Sequence, residues 1–299
     1  MAKADTLMTR KRLLSLAGAT LLFHDCSAKA VNPVRIGSKN SSENSTIAEI
    51  YAVALERENM AVERHMNLGN AQNVMAAIQR GDIDLYPEYV RTGREHPRQR
   101  APAPHAVDLY GAAKRSYEQR YGITWLTPSP ANDSPCLATS QYAAEQYWLL
   151  ALPKCADIAS ELRFAATPEF LAPSGALLRL QQFYGGFKFK TVLSFDPGEQ
   201  YYALDRGDVD VASAFTTDAQ IAENQLVVLA DDKHFWPQYN VAPVIRLTTI
   251  HSHPRVASVV NRISRRLTQY SVQQITMRLH LLGLEPHDVA ADFVTKGGP

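Results

Sequence analysis

The sequence predicts an α/β protein of two lobes, between which the chain crosses twice. Strand-like segments alternate with helical patterns along the chain, which favours sheets of largely parallel strands. The phrase RGDIDLY at residues 80–86 returns as RGDVDVA at residues 206–212, which indicates a repeated structural unit. Two turn-rich breaks, at residues 128–133 and 231–237, indicate where the chain crosses between the lobes.

Each copy of the repeated phrase predicts a helix followed by a strand. Apolar residues at helical spacing precede both copies, and a glycine then follows a basic residue, at Gly81 and at Gly207. Glycine readily adopts the left-handed conformation that ends many helices, and a cation is favourable in the last helical turn. The alternating residues 82–85 and the apolar-flanked residues 209–211 predict the strands. Two distant copies indicate two similar lobes rather than a solenoid.

The other elements are predicted from helical or alternating periodicity and from capping residues. The segment 41–46 is rich in residues that cap helices, and apolar residues at helical spacing follow it. Further helices are predicted at residues 110–121, 143–150, 176–183, 256–270 and 273–281. Further strands are predicted at residues 34–38, 62–68, 123–126, 136–139, 226–229 and 241–247.

The two breaks divide the chain into discontinuous lobes. Lobe 1 is predicted to hold residues 31–131 and 238–299, and lobe 2 is predicted to hold residues 132–237. Ligands of such folds bind beyond the carboxyl ends of the strands, which here is the cleft between the lobes. Tyr89 and Phe215 follow the two repeats at equivalent positions. They either face one another across the cleft or pack under their own loops, and the sequence leaves both arrangements open.

The N-terminal segment predicts secretion. A basic run is followed by an apolar stretch up to Phe23 and by a small-x-small pattern that ends at Ala30, so residues 1–30 are expected to be a cleaved signal peptide. The alternative is a frayed N-terminal helix. Asp25 stands before Cys26, where a lipoprotein signal requires a small residue, which argues against a lipid anchor. The expected location is the periplasm.

Composition and missing motifs exclude several function classes. Without residues 1–30, 26 basic and 28 acidic residues are left, which gives a net charge of −2 and no electrostatic footprint for nucleic acid. The sequence contains neither a Walker-type loop nor a G-x-S-x-G elbow, so no cofactor is expected and ATP hydrolysis would belong to a separate subunit. His251 and His253 lack further ligands nearby and predict a surface loop rather than a metal site. Cys136 and Cys155 either pair or stay as buried thiols.

Four motifs, taken together, resemble one family: the substrate-binding proteins of ABC importers for quaternary-ammonium osmoprotectants such as glycine betaine, choline and carnitine. They are GSKNSSE at 37–43, which resembles GSKNFTE; DLYPEY at 84–89, which resembles DLYPEYTGT; GDVDV at 207–211 with AFTTD at 214–218, which is similar to GDVDVADAYSTD; and DDKHFWPQY at 231–239 with APV at 242–244, which is similar to DDKHFFPPY…APVV. The similarity covers nearly all of the chain after residue 30. It implies a two-lobed periplasmic-binding-protein fold (type II) with two interdomain crossovers.

The resemblance also implies an aromatic cage for a trimethylammonium group. Such a cation cannot donate a hydrogen bond, and aromatic ring faces attract it through their quadrupole. Cage tyrosines of the family fall on Tyr89 and Tyr239. A third cage position falls on Phe215, which keeps the ring without the hydroxyl group, and a fourth falls on Pro135, where the ring is lost.

The end of the site that would hold a ligand carboxylate departs from the family as well. The lysine and threonine contacts of the family fall on Lys39 and Thr92, whereas an arginine contact falls on Pro173. The loss of a bidentate guanidinium weakens the grip on a carboxylate. Asp133 could attract a cation that lacks a carboxylate, or it could be a solvated turn residue.

Two consequences of these departures are open at this point. Either Trp236, Tyr86 or Tyr202 completes the cage, or the site prefers choline or a different cation.

The expected function is therefore that of a periplasmic, monomeric solute-binding protein. It would capture a quaternary ammonium compound and dock on an ABC permease that works with a separate ATPase. One alternative is a binding protein of altered or very weak specificity that acts as a sensor. Another is an enzyme on the same scaffold, with Lys39 or Asp218 as acid or base. The predicted signal peptide and the doubled aromatic position favour binding over catalysis.

Overall fold

Two five-stranded sheets organise the computed structural model, which describes residues 32–90, 109–173, 175–236 and 239–296. The predicted signal peptide, Cys26 within it, and Thr92 lie outside these ranges. Contacts group residues 33–299 into one compact unit. The strands of each sheet come from one of the two segments predicted as lobes, and the division into lobes itself stays a prediction.

Sheet 1 is built from the beginning of the described chain and from one strand that returns late in the sequence. It contains β1 (Val34–Gly37), β2 (Val62–His65), β3 (Leu85–Tyr89), β4 (Ile123–Trp125) and β10 (Val241–Arg246). Their order across the sheet is β2-β1-β3-β10-β4. Strand β1 runs parallel to β2 and β3, whereas β10 runs antiparallel to β3 and β4.

Sheet 2 repeats this arrangement. It contains β5 (Pro135–Thr139), β6 (Arg163–Ala166), β7 (Thr191–Ser194), β8 (Val211–Phe215) and β9 (Val227–Val228), in the order β7-β6-β8-β5-β9. Strand β6 is parallel to β7 and β8, and β5 is antiparallel to β8 and β9. The α/β prediction is confirmed, but the sheets are more mixed than expected. The antiparallel strand is in each case the one that enters from the other sheet, so no helical crossover within one sheet fixes its direction.

Helices connect most of the strands. Their bounds are α1 (Ser42–Glu56), α2 (Ala71–Arg80), α3 (Leu109–Tyr121), α4 (Gln141–Tyr147), α5 (Leu152–Ile158), α6 (Pro168–Leu171), α7 (Ala176–Tyr184), α8 (Glu199–Asp205), α9 (Ala219–Glu223), α10 (Leu247–Ser252), α11 (Val256–Ser264), α12 (Gln269–His280) and α13 (Pro286–Lys296), and a 3₁₀ turn covers Ala159–Glu161. Helix α1 begins as predicted, because the Ser41 side chain accepts a hydrogen bond from the Asn44 N–H. In the described residues, none of these helices combines the length and the apolar character that spanning a bilayer requires.

The repeated phrase forms the helix stop as predicted, but the strand begins later. Gly81 and Gly207 have φ values of +80° and +73°. Strands β3 and β8 start only after the second aspartate of each phrase, at Leu85 and Val211. Both strands are central in their sheets and almost completely buried, so the alternation of polar and apolar residues that marks a half-exposed strand does not apply to them.

The second aspartate of each phrase has a specific structural role. Asp84 binds Arg35 of β1 through two side-chain hydrogen bonds of 2.9 Å. Asp210 binds Arg163 of β6 in the same way, at 3.0 and 2.7 Å. In both sheets the backbone N–H of the arginine also donates to the aspartate. The repeat therefore encodes one arginine–aspartate clamp for each sheet, between the starts of two parallel strands.

Each sheet is covered by two apolar clusters. For sheet 1, one cluster includes Val34 and Ile245 and the other includes Tyr86 and Val244. For sheet 2, Cys155 and Cys136 lie in two different clusters, and both are buried and unbonded to one another. Of the two readings that the sequence left open, the structure shows the buried thiols.

Candidate functional site

The three aromatic residues predicted for the cage lie next to the ends of central strands. Tyr89 is the last residue of β3 and pairs with Val241, which stands two residues after Tyr239. Phe215 is the last residue of β8 and pairs with Pro135, the first residue of β5. Both strand ends therefore adjoin the segments that connect the two sheets.

The two crossing segments, residues 129–134 and 239–240, are hydrogen-bonded to one another. The Tyr239 N–H donates to the Asn132 side chain at 2.6 Å, and the Asp133 N–H donates to the Tyr239 carbonyl at 3.3 Å. On the other side, the Ser134 N–H donates to Thr216 Oγ1 at 3.1 Å, and the Thr216 N–H donates to the Ser134 carbonyl at 3.0 Å. A continuous hydrogen-bonded path thus joins the end of β3 to the end of β8. We call this region, with Tyr89, Phe215 and Tyr239, the ring junction.

The rings of the junction differ in exposure. Phe215 is 48% exposed, whereas Tyr89 and Tyr239 are partly buried. The backbone of Phe215 is fixed, because its N–H donates to Asp218 Oδ2 at 2.8 Å. A phenylalanine held at a strand end with half of its surface open offers an apolar face to a ligand.

Tyr89 is surrounded by charged groups. Its hydroxyl donates to the Glu43 carboxylate, and its N–H donates to Glu88 Oε1 at 2.8 Å. The Lys39 ammonium lies 2.6 Å from Glu88 Oε1 and 4.6 Å from the centroid of the Tyr89 ring. Lys39, which the resemblance assigns to a ligand carboxylate, is therefore already paired with a carboxylate of the protein.

Acidic groups from several elements meet beside Tyr89. Burial, followed by the proximity of Asp133, raises the pKa of Glu43 to about 7, although a hydrogen bond from Tyr89 acts in the opposite direction. Asp133 accepts a hydrogen bond from Thr217 at 2.7 Å. Burial also raises the pKa of Asp218, although the hydrogen bond from Tyr201 opposes this shift. A cation bound beside these groups would favour their ionised forms.

Helix α12 holds the turn that follows Phe215. Gln269 and Gln273 both donate to the Thr216 carbonyl, the second at 2.8 Å. Thr276 donates to the Thr217 carbonyl at 2.9 Å. A neighbouring face of the same helix packs into the core of sheet 1, through residues that include Val272. Helix α12 thus ties the β8 end of the junction to sheet 1.

The remaining predicted positions lie elsewhere or outside the described ranges. Trp236 is 8% exposed and packs against Phe235 and Phe170, with ring centroids 4.5 and 6.2 Å away. Tyr86 is fully buried on β3, and Tyr202 is 67% exposed on α8. Thr92 is not among the described residues. The structure thus places Lys39, Tyr89, Asp133, Phe215 and Tyr239 at the junction. Their role as ligand contacts stays a prediction, as does that of Trp236.

Three residues of the junction were not assigned a role from sequence. Glu43 and Glu88 stand inside the quoted motifs, and Thr217 lies two residues after Phe215. The helix pattern placed Glu43 in the first turn of α1, but nothing in the sequence indicates its hydrogen bond to Tyr89. For Glu88 the available signal was an acidic residue directly before a predicted cage tyrosine. As for metals, the described ranges contain no group of three or more His, Cys, Asp or Glu residues arranged so that it could hold a metal ion.

Comparisons with known proteins agree with these observations. Residues 32–296 match the family described as the substrate-binding domain of ABC-type glycine betaine transport systems. The glycine betaine-binding protein YehZ of Escherichia coli is 29% identical over 90% of this chain and 92% of its own length. A glycine-betaine-binding protein of Pseudomonas aeruginosa is 28% identical over 96% and 94%.

A longer relative and a solved structure extend the comparison. The ergothioneine transport permease/ergothioneine binding protein EgtU of Helicobacter pylori is 28% identical over 96% of this chain, which spans about half (51%) of that relative. The solved structure of apo YehZ from Escherichia coli superimposes with a TM-score of 0.81, at 28% identity over 89% of this chain and 99% of that one. The family and the type II fold predicted from the motifs are confirmed. The chain belongs to the substrate-binding domains of ABC-type glycine betaine transport systems.

Proposed function

We propose that this chain captures a small quaternary ammonium compound at the ring junction. The observation that carries this proposal is the placement of Tyr89, Phe215 and Tyr239 at strand ends joined by one hydrogen-bonded path. Ligands of α/β folds bind beyond the carboxyl ends of the strands, and Tyr89 and Phe215 stand at two such ends. Three rings that adjoin one such crossing form a suitable receptor for a methylated cation.

The physical basis of binding is the attraction between ring faces and a permanent cation. Each well-placed ring contributes roughly 0.5–2 kcal/mol. A trimethylammonium group cannot donate hydrogen bonds, so it gives up no donated hydrogen bonds to water when it enters an aromatic site. Phe215 keeps the ring face that this interaction needs, and the carboxylate of Asp133 adds long-range attraction.

The transport role follows from the family. A substrate-binding domain of an ABC system delivers its ligand to a permease, and ATP is hydrolysed by a separate subunit. The Helicobacter pylori relative is named as both a permease and a binding protein, which supports a permease as the partner of this chain. We infer that the protein works in the periplasm as a monomer. It binds its ligand and releases it without changing it chemically.

Isothermal titration calorimetry tests the proposal directly. The purified protein is titrated with glycine betaine, choline and carnitine, and at least one of them is expected to bind. Tyr142→Ala serves as a matched control, because Tyr142 is 75% exposed on α4 and does not belong to the junction. If all three compounds give no heat of binding with the wild-type protein, the cation proposal fails.

A further inference from the structure

Helix α12 carries a line of polar residues along one of its faces. They follow one another at intervals of four, three and four positions, the spacing at which side chains share one side of a helix: Gln269, Gln273, Thr276 and His280. We call these four residues the α12 stripe. None of them belongs to the four family motifs, so the resemblance assigns them no role.

The α12 stripe contacts three consecutive residues after Phe215, in the order of the chain. Its first two members both donate to the Thr216 carbonyl, and the distance from Gln273 is 2.8 Å. Its third member donates to the Thr217 carbonyl at 2.9 Å. Its fourth member interacts electrostatically with Asp218. One face of a single helix thus holds the whole turn that begins beside Phe215.

The neighbouring apolar face of α12 is buried against sheet 1. Val272, Ile275 and Leu279 all belong to one of the apolar clusters that cover this sheet. Because this packing anchors the helix, the α12 stripe fixes residues 216–218 relative to sheet 1. The same sheet contains Tyr89, at the end of β3.

Phe215 depends on this turn for its position. Its N–H donates to Asp218 Oδ2 at 2.8 Å, and the carbonyl of the next residue, Thr216, is held by two amide groups. The Phe215 side chain is 48% exposed, so packing in the core holds only part of it. The backbone contacts of the turn therefore decide where this ring lies.

Gln269 also connects the turn to the crossing segments. Its side-chain oxygen accepts the Asn132 N–H at 3.1 Å, while its amide nitrogen donates to the Thr216 carbonyl. The Asn132 side chain in turn accepts the Tyr239 N–H at 2.6 Å. One glutamine side chain thus links the backbone beside Phe215 to the backbone that carries a second ring of the junction.

We propose that Gln269 and Gln273 are positioning residues for ligand capture: they hold the Thr216 carbonyl and thereby place the Phe215 ring against the bound cation. A cation must lie within about 6 Å of a ring centroid to be attracted by the ring face, so a displaced ring loses part of this attraction. The inference rests on the proposed function, because it states how one ring of the ring junction is kept in place for the ligand.

A double-mutant cycle with Phe215 tests the proposal. The ligand is whichever of glycine betaine, choline and carnitine binds the wild-type protein most tightly. Gln269→Met combined with Gln273→Met keeps the side-chain length and removes both donors. Calorimetry is expected to show a loss of about fivefold in affinity when Phe215 is present, and of less than about twofold in a Phe215→Ala background. Equal losses in the two backgrounds would mean that the glutamines do not act through this ring, and would overturn the inference.

Gln274 offers a matched control. It follows Gln273 on the same helix, is also partly buried, and does not belong to the α12 stripe. Gln274→Met should leave the affinity within about twofold of the wild-type value. If it weakens binding as much as the paired substitution does, a general effect of methionine on α12 explains the loss and the inference fails.

Fluorine NMR follows the ring itself and needs no ligand. 4-Fluorophenylalanine is incorporated at residue 215, and its resonance is compared between the wild-type protein and the single variants Gln269→Met and Gln273→Met, which serve if the paired variant folds poorly. Each substitution is expected to shift or broaden the resonance, and Gln274→Met is expected to leave it unchanged. A resonance that responds to neither glutamine would contradict the inference.

The two measurements separate this inference from the proposed function. If a compound binds but the losses are equal in both backgrounds, or the fluorine resonance does not respond, the inference is wrong and the capture of quaternary ammonium compounds stands. If the wild-type protein binds none of the three compounds, the proposed function is wrong, and the role of the glutamines in ligand capture falls with it.

Discussion

The Tyr239 N–H donates to the side-chain oxygen of Asn132 at 2.6 Å, and this bond joins the two segments that cross between the sheets. The same oxygen accepts the Ser134 hydroxyl at 2.9 Å. The Asn132 side chain thus fixes both the backbone at Tyr239, a predicted cage residue, and the segment that leads to Pro135. Asn132 and Asn240 also form an isolated β-bridge, so the two crossings are paired as well as adjacent.

Asn132→Ala is expected to destabilise the crossing and to weaken ligand binding. The substitution removes the acceptor that Asn132 offers to the Tyr239 N–H and to the Ser134 hydroxyl, and the loss of a hydrogen bond by a buried group costs about 1–3 kcal/mol. Urea denaturation measures the change in the free energy of unfolding, and calorimetry with choline measures binding. Asn73→Ala, at an exposed position of α2, is the matched control and should change neither quantity measurably.

The two arginine–aspartate clamps lead to a second prediction. Asp84→Asn should lower the free energy of unfolding by about 2 kcal/mol, because it removes a charge that accepts two hydrogen bonds from Arg35 at a site that is 8% exposed. Asp82→Asn, in the same repeated phrase, is the control. The Asp82 and Arg80 side chains are 52% and 63% exposed, and ion pairs between such exposed groups contribute about 0–1 kcal/mol to the free energy of unfolding. Equal losses in the two variants, measured by chemical denaturation, would count against the clamp.

The clamp also predicts an acid-dependent loss of stability. Burial alone would raise the pKa of Asp84, but the hydrogen bonds from Arg35 outweigh burial and hold this pKa below its usual range. The folded state therefore binds the proton less readily than the unfolded state. The stabilisation is present above the unfolded pKa of about 3.9 and is lost as the pH falls through the lower folded value. Denaturation at pH 6, 4 and 3 should show a smaller fall for Asp84→Asn than for the wild-type protein.

Much of the fold was predictable from sequence because the chain repeats itself. The phrase around Gly81 and Gly207 contains local signals, a last-turn cation and a glycine, that act the same way in any surroundings. The strand starts were misplaced because the polar residues Asp84 and Asp210 bind arginines that are far away in sequence. Strands β6 and β7 and helix α13 were missed because their short or weakly patterned segments depend on tertiary packing.

The sequence pointed to the rings of the candidate site and to two of its charged residues, Lys39 and Asp133, but not to Glu43 or Glu88. Tyr89 and Phe215 were found because each follows a copy of the repeat, and the position of Tyr239 came from the resemblance. The contact of Glu43 with Asp133 and Thr217 depends on how distant segments of the chain cross, which no local pattern encodes. Trp236 was one of three residues that the sequence offered to complete the cage, yet the aromatic core around Phe235 and Phe170 decides where its ring lies.

Glu43 predicts a pH dependence of the opposite sign to that of Asp84. Burial and the nearby Asp133 raise its pKa to about 7, whereas the unfolded value is about 4.3. Between these values the folded state holds a proton that the unfolded state has released, so the contribution of Glu43 to the free energy of unfolding falls as the pH rises from about 5 to about 7. Above pH 7 this contribution is constant.

Glu43→Gln isolates this contribution. The glutamine side chain cannot ionise. The unfolding free energy of the variant should therefore rise relative to that of the wild type from pH 5 to pH 7, and the difference should then stay constant. Chemical denaturation at pH 5, 6, 7 and 8 measures it, with Glu223→Gln at an exposed position of α9 as the control. A difference that does not vary with pH would show that Glu43 has an ordinary pKa in the folded protein.

The rings themselves give the most direct prediction. Tyr89→Ala and Tyr239→Ala should each weaken choline binding by at least about 1 kcal/mol, which is roughly a fivefold loss of affinity, because each removes a ring face from the cation. Phe215→Ala should have a similar effect, whereas Phe215→Tyr should retain binding, since the face and not the hydroxyl carries the attraction. Calorimetry on all four variants, with Tyr142→Ala as the control, measures these changes. Full retention of affinity in the three alanine variants would place the ligand elsewhere in the protein, because no other change to the junction removes so much aromatic surface.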